Sequence, residues 1–328
     1  MDNARITAPS PGSPASGPGS VRRAVIDVGT NSVKLLVAEV SGRQVEPLLE
    51  QSEQTRLGRG FYQTGRLRPP AITHTARVVA EFAARARALE VVAIRVVATS
   101  AARDALNQDD LLAALRDSAG IPVEIISGEQ EAEWAFRGVV SDPVFCGPPL
   151  LIVDVGGGST EFILGEGDQQ RFRHSFRLGT VRLMEALPRA DAPAQAEWEH
   201  CCARVADFLE QQVRPVIEPA LGEFSSGAVQ LVGTGGTTSL LARIELGLAT
   251  FDRGRIEALR LTRQQVQRQR ERLWGLPLAA RKNIPGLPAD RADVILSGVA
   301  IYEAVMEQFD FPVLRVSTRG LRFGAVMA

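Results

Sequence analysis

One motif, carried twice, constrains this chain more than anything else in it. Residues 26–37 read Ile-Asp-Val-Gly-Thr-Asn-Ser-Val-Lys-Leu-Leu-Val, and residues 153–164 read Val-Asp-Val-Gly-Gly-Gly-Ser-Thr-Glu-Phe-Ile-Leu. A shift of 127 positions (27 to 154) lays Asp27 on Asp154, Gly29 on Gly156 and Ser32 on Ser159. Each copy is an apolar strand, an aspartate, a small-residue turn with a hydroxyl, and a second apolar strand. Small residues let an anion approach the backbone, and such a turn can direct several N–H groups at one phosphate. Two copies predict two related lobes whose turns form a phosphate clamp, with carboxylates at hand for a metal ion.

The 328 residues suffice for two domains, each with its own core. A net charge of −1 excludes a global basic field, and with it the usual signature of nucleic-acid or membrane-surface binding. A polyanion would have to be held by local Arg and Lys. Cys146, Cys201 and Cys202 have no metal-ligand spacing, and an odd number of thiols suits a reducing cytoplasm. No run approaches the roughly 20 apolar residues of a membrane span, and the N-terminus lacks the apolar core of a signal peptide. Residues 1–20, dominated by the Pro/Ser/Gly/Ala stretch from Thr7 to Ser20, are expected to be a disordered tail.

Beyond the tail, apolar runs at 23–28, 33–40 and 44–50 predict a three-stranded meander. Pro69-Pro70 opens a helix to about 89, with Ile72, Ala76, Val79 and Ala83 at helical spacing. A strand at 93–98, a helix at 108–118, a strand at 122–126 and a helix at 129–139 follow. The order then restarts, with strands at 149–154, 161–166 and 170–177 and helices at 180–187 and 192–215. A short strand at 229–232 runs through Gly233-Thr-Gly-Gly-Thr into a helix. Helical patterns at 262–275 and 290–307, a strand at 313–317 and a terminal helix complete the chain. The alternation predicts an α/β protein. Lobe I is expected over 21–139 plus 318–328, and lobe II over 140–317, with a central interlobe cleft and closure about the junctions.

Eight segments, in order, give the chain a family likeness: Asp27-Val-Gly-Thr-Asn-Ser, Thr99-Ser-Ala-Ala-Arg-Asp-Ala-Leu-Asn, Glu124-Ile-Ile-Ser-Gly-Glu-Gln-Glu-Ala, Asp154-Val-Gly-Gly-Gly-Ser-Thr-Glu, Arg177-Leu-Gly-Thr-Val-Arg, Gly233-Thr-Gly-Gly-Thr, Arg291-Ala-Asp-Val-Ile and Ser317-Thr-Arg-Gly-Leu-Arg. The folded region resembles the exopolyphosphatase/guanosine pentaphosphate phosphatase (Ppx/GppA) family, within the actin/hexokinase superfamily. The resemblance implies two actin-like (ribonuclease H-like) lobes and hydrolysis of terminal phosphate from inorganic polyphosphate. The same centre in relatives serves guanosine pentaphosphate, and the motifs do not separate the two. Long members carry an additional C-terminal helical domain, so a chain ending soon after Gly324 is expected to favour short polyphosphates. A homodimer is expected by family analogy alone.

On turn chemistry alone, Asp154 and Glu161 divide evenly between a carboxylate pair at one mouth and a mere turn cap beside a solvated strand residue. The resemblance assigns them to catalysis and to a divalent metal, Mg²⁺ with Mn²⁺ as substitute. Mg²⁺ favours one or two carboxylates completed by water and phosphate oxygens. A carboxylate must also orient and deprotonate the attacking water. Glu129 and Glu131 are equal candidates by position, and either could simply favour the positive end of a helix. The family pattern, a Glu directly before an Ala, selects Glu131. Gln130 departs from the family's frequent Glu there, a change expected to be harmless because that position points elsewhere around the helix.

Gly29, Thr30, Asn31 and Ser32 from the first turn, and Gly156, Gly157, Gly158, Ser159 and Thr160 from the second, are expected to hold substrate phosphates. Gly235 and Gly236 are expected to line the cleft, although a strand-to-helix turn could need them for backbone reasons. Arg103 can bind phosphate oxygens bidentately, or pair with Asp104 at the surface. Lys34, Arg56 and Arg177 are further candidates. His74, His174 and His200 lack ligand spacing. Trp134, Trp198 and Trp274 lie in helical patterns and are expected in cores. Two other functions remain open: a non-catalytic sensor of a phosphorylated ligand, and an ATP-dependent kinase of the same superfamily.

Overall fold

In the computed structural model, residues 19–225 and 227–328 are described. The expected tail therefore lies outside the described residues, apart from Gly19 and Ser20. Two compact units emerge: one runs to Ser141 and includes Leu321–Ala328, and the other is Asp142–Gly320.

The first unit opens with the meander β1 (Val21–Val28), β2 (Val33–Ser41) and β3 (Gln44–Glu53). A short helix α1 (Phe61–Thr64) precedes α2 (Pro69–Ala88), whose two leading prolines occupy the first turn, where no N–H partner is needed. Then come β4 (Ala93–Ala98), α3 (Ser100–Asp104), α4 (Gln108–Ala119), β5 (Val123–Ile125) and α5 (Gly128–Val140). The sheet order is β3-β2-β1-β4-β5, with β4 and β5 parallel to β1. One face packs Ile26, Leu35 and Val96 against Val79 and Leu111 of α2 and α4. The other face is covered by α5 and by the C-terminal segment.

The second unit repeats the pattern with β6 (Pro149–Val155), β7 (Thr160–Glu166), β8 (Gln169–Phe176), α6 (Thr180–Ala186), α7 (Gln195–Phe208) and α8 (Arg214–Leu221). There follow β9 (Gln230–Thr234), α9 (Gly235–Leu246), α10 (Arg253–Ala258), β10 (Arg260–Thr262), α11 (Arg263–Trp274), α12 (Leu278–Arg281), α13 (Ile295–Gln308) and β11 (Val313–Val316). Its sheet runs β10-β11-β9-β6-β7-β8. Apart from the edge strand β10, this is the order of the first unit, so the duplicated motif reports a duplicated topology. The single continuous helix expected over 192–215 is instead α7 and α8 joined by a π-helical turn, Leu209–Val213. Pro215 cannot donate the bond that would continue the α-helical register, and the chain widens just before it.

The last helix, α14 (Leu321–Met327), returns to the first unit. Its Leu321, Phe323 and Val326 pack with Val25, Leu36, Val97 and Trp134. Burying each of the larger side chains contributes about 1.5–3 kcal/mol. Arg322 ties the helix down by donating to the Leu35 carbonyl at 2.7 Å and to Glu50 at 3.2 Å. Trp134, Trp198 and Trp274 are all buried in cores, and Trp198 and Trp274 meet edge to face. His74 and His174 are half-buried and His200 is exposed.

Candidate active site

Both turns are closed in the same way. The Gly29 N–H donates to the Ser32 carbonyl at 3.0 Å, and the Gly156 N–H to the Ser159 carbonyl at 3.0 Å. Gly29 and Gly156 therefore spend on turn closure the N–H groups that were expected to serve a phosphate. The residues after them compensate. In the first turn, the Thr30 and Asn31 carbonyls accept from the N–H groups of Gly58 (2.7 Å) and Arg56 (3.0 Å). In the second, the Gly156 carbonyl accepts from Thr180 N–H (3.0 Å), Gly157 from Val181 N–H (2.8 Å), and Gly158 from Arg182 Nε (2.9 Å). A trans peptide points its C=O and N–H in opposite directions. Pinning these carbonyls behind the turn therefore aims the N–H groups of Asn31 and Ser32, and those of Gly157, Gly158 and Ser159, out of the opposite side. Such a row of N–H groups is an anion-binding concavity.

Two glycines outside the expected set make this possible. A Cβ on Gly179 would lie 2.5 Å from the Gly157 carbonyl oxygen, and one on Gly58 would collide with the Thr30 side chain. Gly179 lies in the family-like Arg177–Arg182 segment, but nothing in the sequence marks the close approach. Arg56, beside Gly58, holds the left-handed region at φ 51°. Thr160 lies behind the second turn, its hydroxyl donating to the Leu178 carbonyl at 2.6 Å.

The carboxylates of the second unit lie on one line across the sheet. Asp154 is the direct partner of Glu161, Glu161 of Ser175, and Asp154 of Thr234. This polar rung carries two acids and no base. Glu161 is only 1% exposed, and its Oε1 accepts from Ser175 Oγ at 2.7 Å. Asp154 is packed by backbone: a Cβ on Gly235, at φ 81°, would fall on its Oδ1, and one on Gly320 would be 3.6 Å from its Oδ2. Gly236 faces open space. Gly235 is thus required by close approach and Gly236 is not. Behind the rung, Tyr302, which the sequence did not single out, donates its hydroxyl to the Val153 carbonyl at 2.9 Å, and burial raises the phenol's pKa.

The corresponding rung of the first unit reads Ser52, Lys34, Asp27, Val97. Here a lysine stands where the second unit has Glu161. Burial raises the Asp27 pKa, opposed by the charges of Lys34 and Arg322. In the same unit Arg103, on α3, donates through one Nη1 to the Ile126 carbonyl at 2.9 Å and to Glu131 Oε2 at 3.4 Å. Glu131 lies in the first turn of α5, whose Ser127 cap accepts from the Gln130 N–H. Glu131 is partly shielded, whereas Glu129 is exposed. Arg177 is exposed and Lys34 half-buried.

Among the described residues no group of three or more His, Cys, Asp and Glu is arranged to hold a metal ion. The Asp154–Glu161 pair still suits a hard cation that takes its remaining oxygens from water and phosphate.

The Ppx/GppA phosphatase family profile matches residues 36–328. The chain belongs to the Ppx/GppA phosphatase family. This Ppx/GppA chain is a phosphoanhydride hydrolase of mixed α/β fold, with two actin-like units. It is 32% identical over 297 residues to exopolyphosphatase 2 of Mycobacterium tuberculosis, covering 88% of this chain and 90% of that protein. It is similar in structure to the Aquifex aeolicus PPX-GPPA enzyme, with TM-score 0.75 and 30% identity over 94% of this chain and 99% of the other. It also resembles an exopolyphosphatase from Cytophaga hutchinsonii, with TM-score 0.82 and 26% identity over 92% and 96%. No helix among its described residues is long and apolar enough to cross a membrane.

Proposed function

We propose that this chain is an exopolyphosphatase that releases terminal orthophosphate from inorganic polyphosphate with Mg²⁺, Mn²⁺ serving as substitute. The observation that carries the reading is the acid–acid rung of Asp154 and Glu161 at the foot of a turn that pins the Gly156, Gly157 and Gly158 carbonyls behind it and so turns the Gly157, Gly158 and Ser159 N–H groups the other way. Two adjacent carboxylates repel phosphate unless a cation lies between them and the anion, and the turn supplies the donors for that anion. Asp154 and Glu161 would hold the metal, which spreads the negative charge that develops on the phosphoryl oxygens. The N–H groups of Gly157, Gly158 and Ser159 bind the terminal phosphate, and those of Asn31 and Ser32 serve the same anion chemistry. Arg103 presents a guanidinium to phosphate oxygens. Glu131 orients a water and takes its proton as the oxygen attacks phosphorus, and the bridging P–O bond breaks to leave a chain shortened by one phosphate. The relatives from M. tuberculosis and C. hutchinsonii named as exopolyphosphatases support the polyphosphate assignment.

The test is phosphate release, with and without chelator, from polyphosphates of defined length and from guanosine pentaphosphate. Chelator-sensitive release with the higher kcat/KM on polyphosphate is expected. A higher kcat/KM on the nucleotide would reassign the substrate, and release indifferent to chelator would remove the metal from the scheme.

A further inference from the structure

We propose that Ser175 is a positioning residue for the metal, acting through Glu161. The proposal rests on the reading that Asp154 and Glu161 hold the cation. Ser175 lies on β8 directly opposite Glu161, so both side chains project from the same face of the sheet, and its hydroxyl lies 2.7 Å from Glu161 Oε1. A glutamate carboxylate turns about a broad, weakly preferred terminal torsion. Its oxygens therefore have no fixed direction unless a neighbour supplies one. On the other side, the backbone of Gly235 crowds Asp154 so closely that a Cβ there would fall on its Oδ1. For Glu161 the neighbour is Ser175. The serine commits one carboxylate oxygen to the sheet and fixes the plane of the other, which is the function of hydrogen-bond donors behind metal ligands generally.

The two units make the case specific. The first-unit rung also begins with a serine, Ser52, but there the neighbour is Lys34. An ammonium group carries its own donors and needs no hydroxyl to orient it. Ser52 is exposed, whereas the Ser175–Glu161 bond is part-buried. Only where the rung turned acidic is the serine drawn in.

The experiment measures Mn²⁺ binding to the full chain by electron paramagnetic resonance, alongside kinetics on polyphosphate at saturating metal. Ser175→Ala is expected to weaken Mn²⁺ binding about 10–100-fold, with KM for polyphosphate at saturating metal within about threefold of the parent. Ser175→Thr, which keeps the hydroxyl, is expected to restore binding to within a few-fold. If Ser175→Thr fails as badly as Ser175→Ala, the hydroxyl is not the cause and the proposal falls. If Ser175→Ala binds Mn²⁺ like the parent while Glu161→Gln does not, the proposal falls and the metal pair stands. If Glu161→Gln itself binds Mn²⁺ normally, the metal pair falls and takes the role of Ser175 with it.

Discussion

Asp154 and Glu161 are direct cross-strand partners, whereas at the same place in the first unit Asp27 is partnered by Lys34. Opposite charges facing one another across strands stabilise a sheet, and like charges destabilise it, by about 0.2–1 kcal/mol each. One copy of the motif has kept a self-neutralising rung. The other sets two acids face to face, the pair to which the proposed function gives the metal.

The first expectation is a trade between stability and activity. Glu161→Gln removes one of the two negative charges while keeping an oxygen for Ser175. Without metal, its thermal midpoint should equal or exceed the parent's, by up to ~4 °C. Phosphate release should fall at least ~100-fold. Calorimetry and a phosphate assay on one preparation check both, and a destabilised but active variant would contradict the assignment.

Glu131→Gln should lower kcat by ~10²–10⁴-fold and leave KM within about threefold, because it removes a proton acceptor and not a binding group. Arg103→Lys keeps the charge but loses the planar fork, and kcat/KM should fall roughly 10–100-fold, the value of one charged hydrogen bond. Steady-state kinetics on a defined polyphosphate separate the two effects. An Arg103→Lys variant that behaves like Glu131→Gln would mean that the arginine acts by orienting the glutamate.

Glycine need is equally specific. Gly179 has an extended backbone at φ −158°, so it is the collision with the Gly157 and Gly158 backbone, not the dihedral angle, that forbids a side chain there. Gly179→Ala should cost about 1–3 kcal/mol and displace the turn N–H groups, lowering activity. Gly236→Ala meets open space within the first turn of α9, and its thermal midpoint should stay within ~2 °C of the parent's. Equal midpoints for the two variants would contradict the packing described for the second turn.

A pH dependence of stability follows from α13. Burial pushes the Glu303 carboxyl up to about 7 from its ordinary 4.5, with the Arg270 guanidinium opposing and Glu307 adding to the rise. Between those values the native state retains a proton that the unfolded chain has released. Stability should therefore fall as pH rises from about 4.5 to 7 and level off above. Glu303→Gln should flatten that slope in urea titrations taken across the interval, and an unchanged slope would place the dependence elsewhere.

Much of this arrangement was legible because it is local. An Asp, a short turn and a Glu seven residues on allow a hairpin pair, which the register then shows, and the strand at 93–98 is bounded as its apolar run indicates. What was illegible depends on segments far apart in the chain. The Arg103–Glu131 contact needs β4 and β5 to be neighbours. The direction of the turn N–H groups depends on Gly58 and Gly179, which lie well beyond the turns they press against. Serine on β8 reads as any polar strand residue until its register against Glu161 is known.

The packing of α14 reaches back to the order of synthesis. The first 141 residues leave the ribosome before the 179 residues of Asp142–Gly320, and only afterwards do Leu321, Phe323 and Val326 arrive to close their core. At about 5–20 residues per second that wait is roughly 10–35 s. Throughout it the face around Val25 and Leu36 has α5 but not α14 against it, so the apolar surface that α14 later covers stays open to a chaperone.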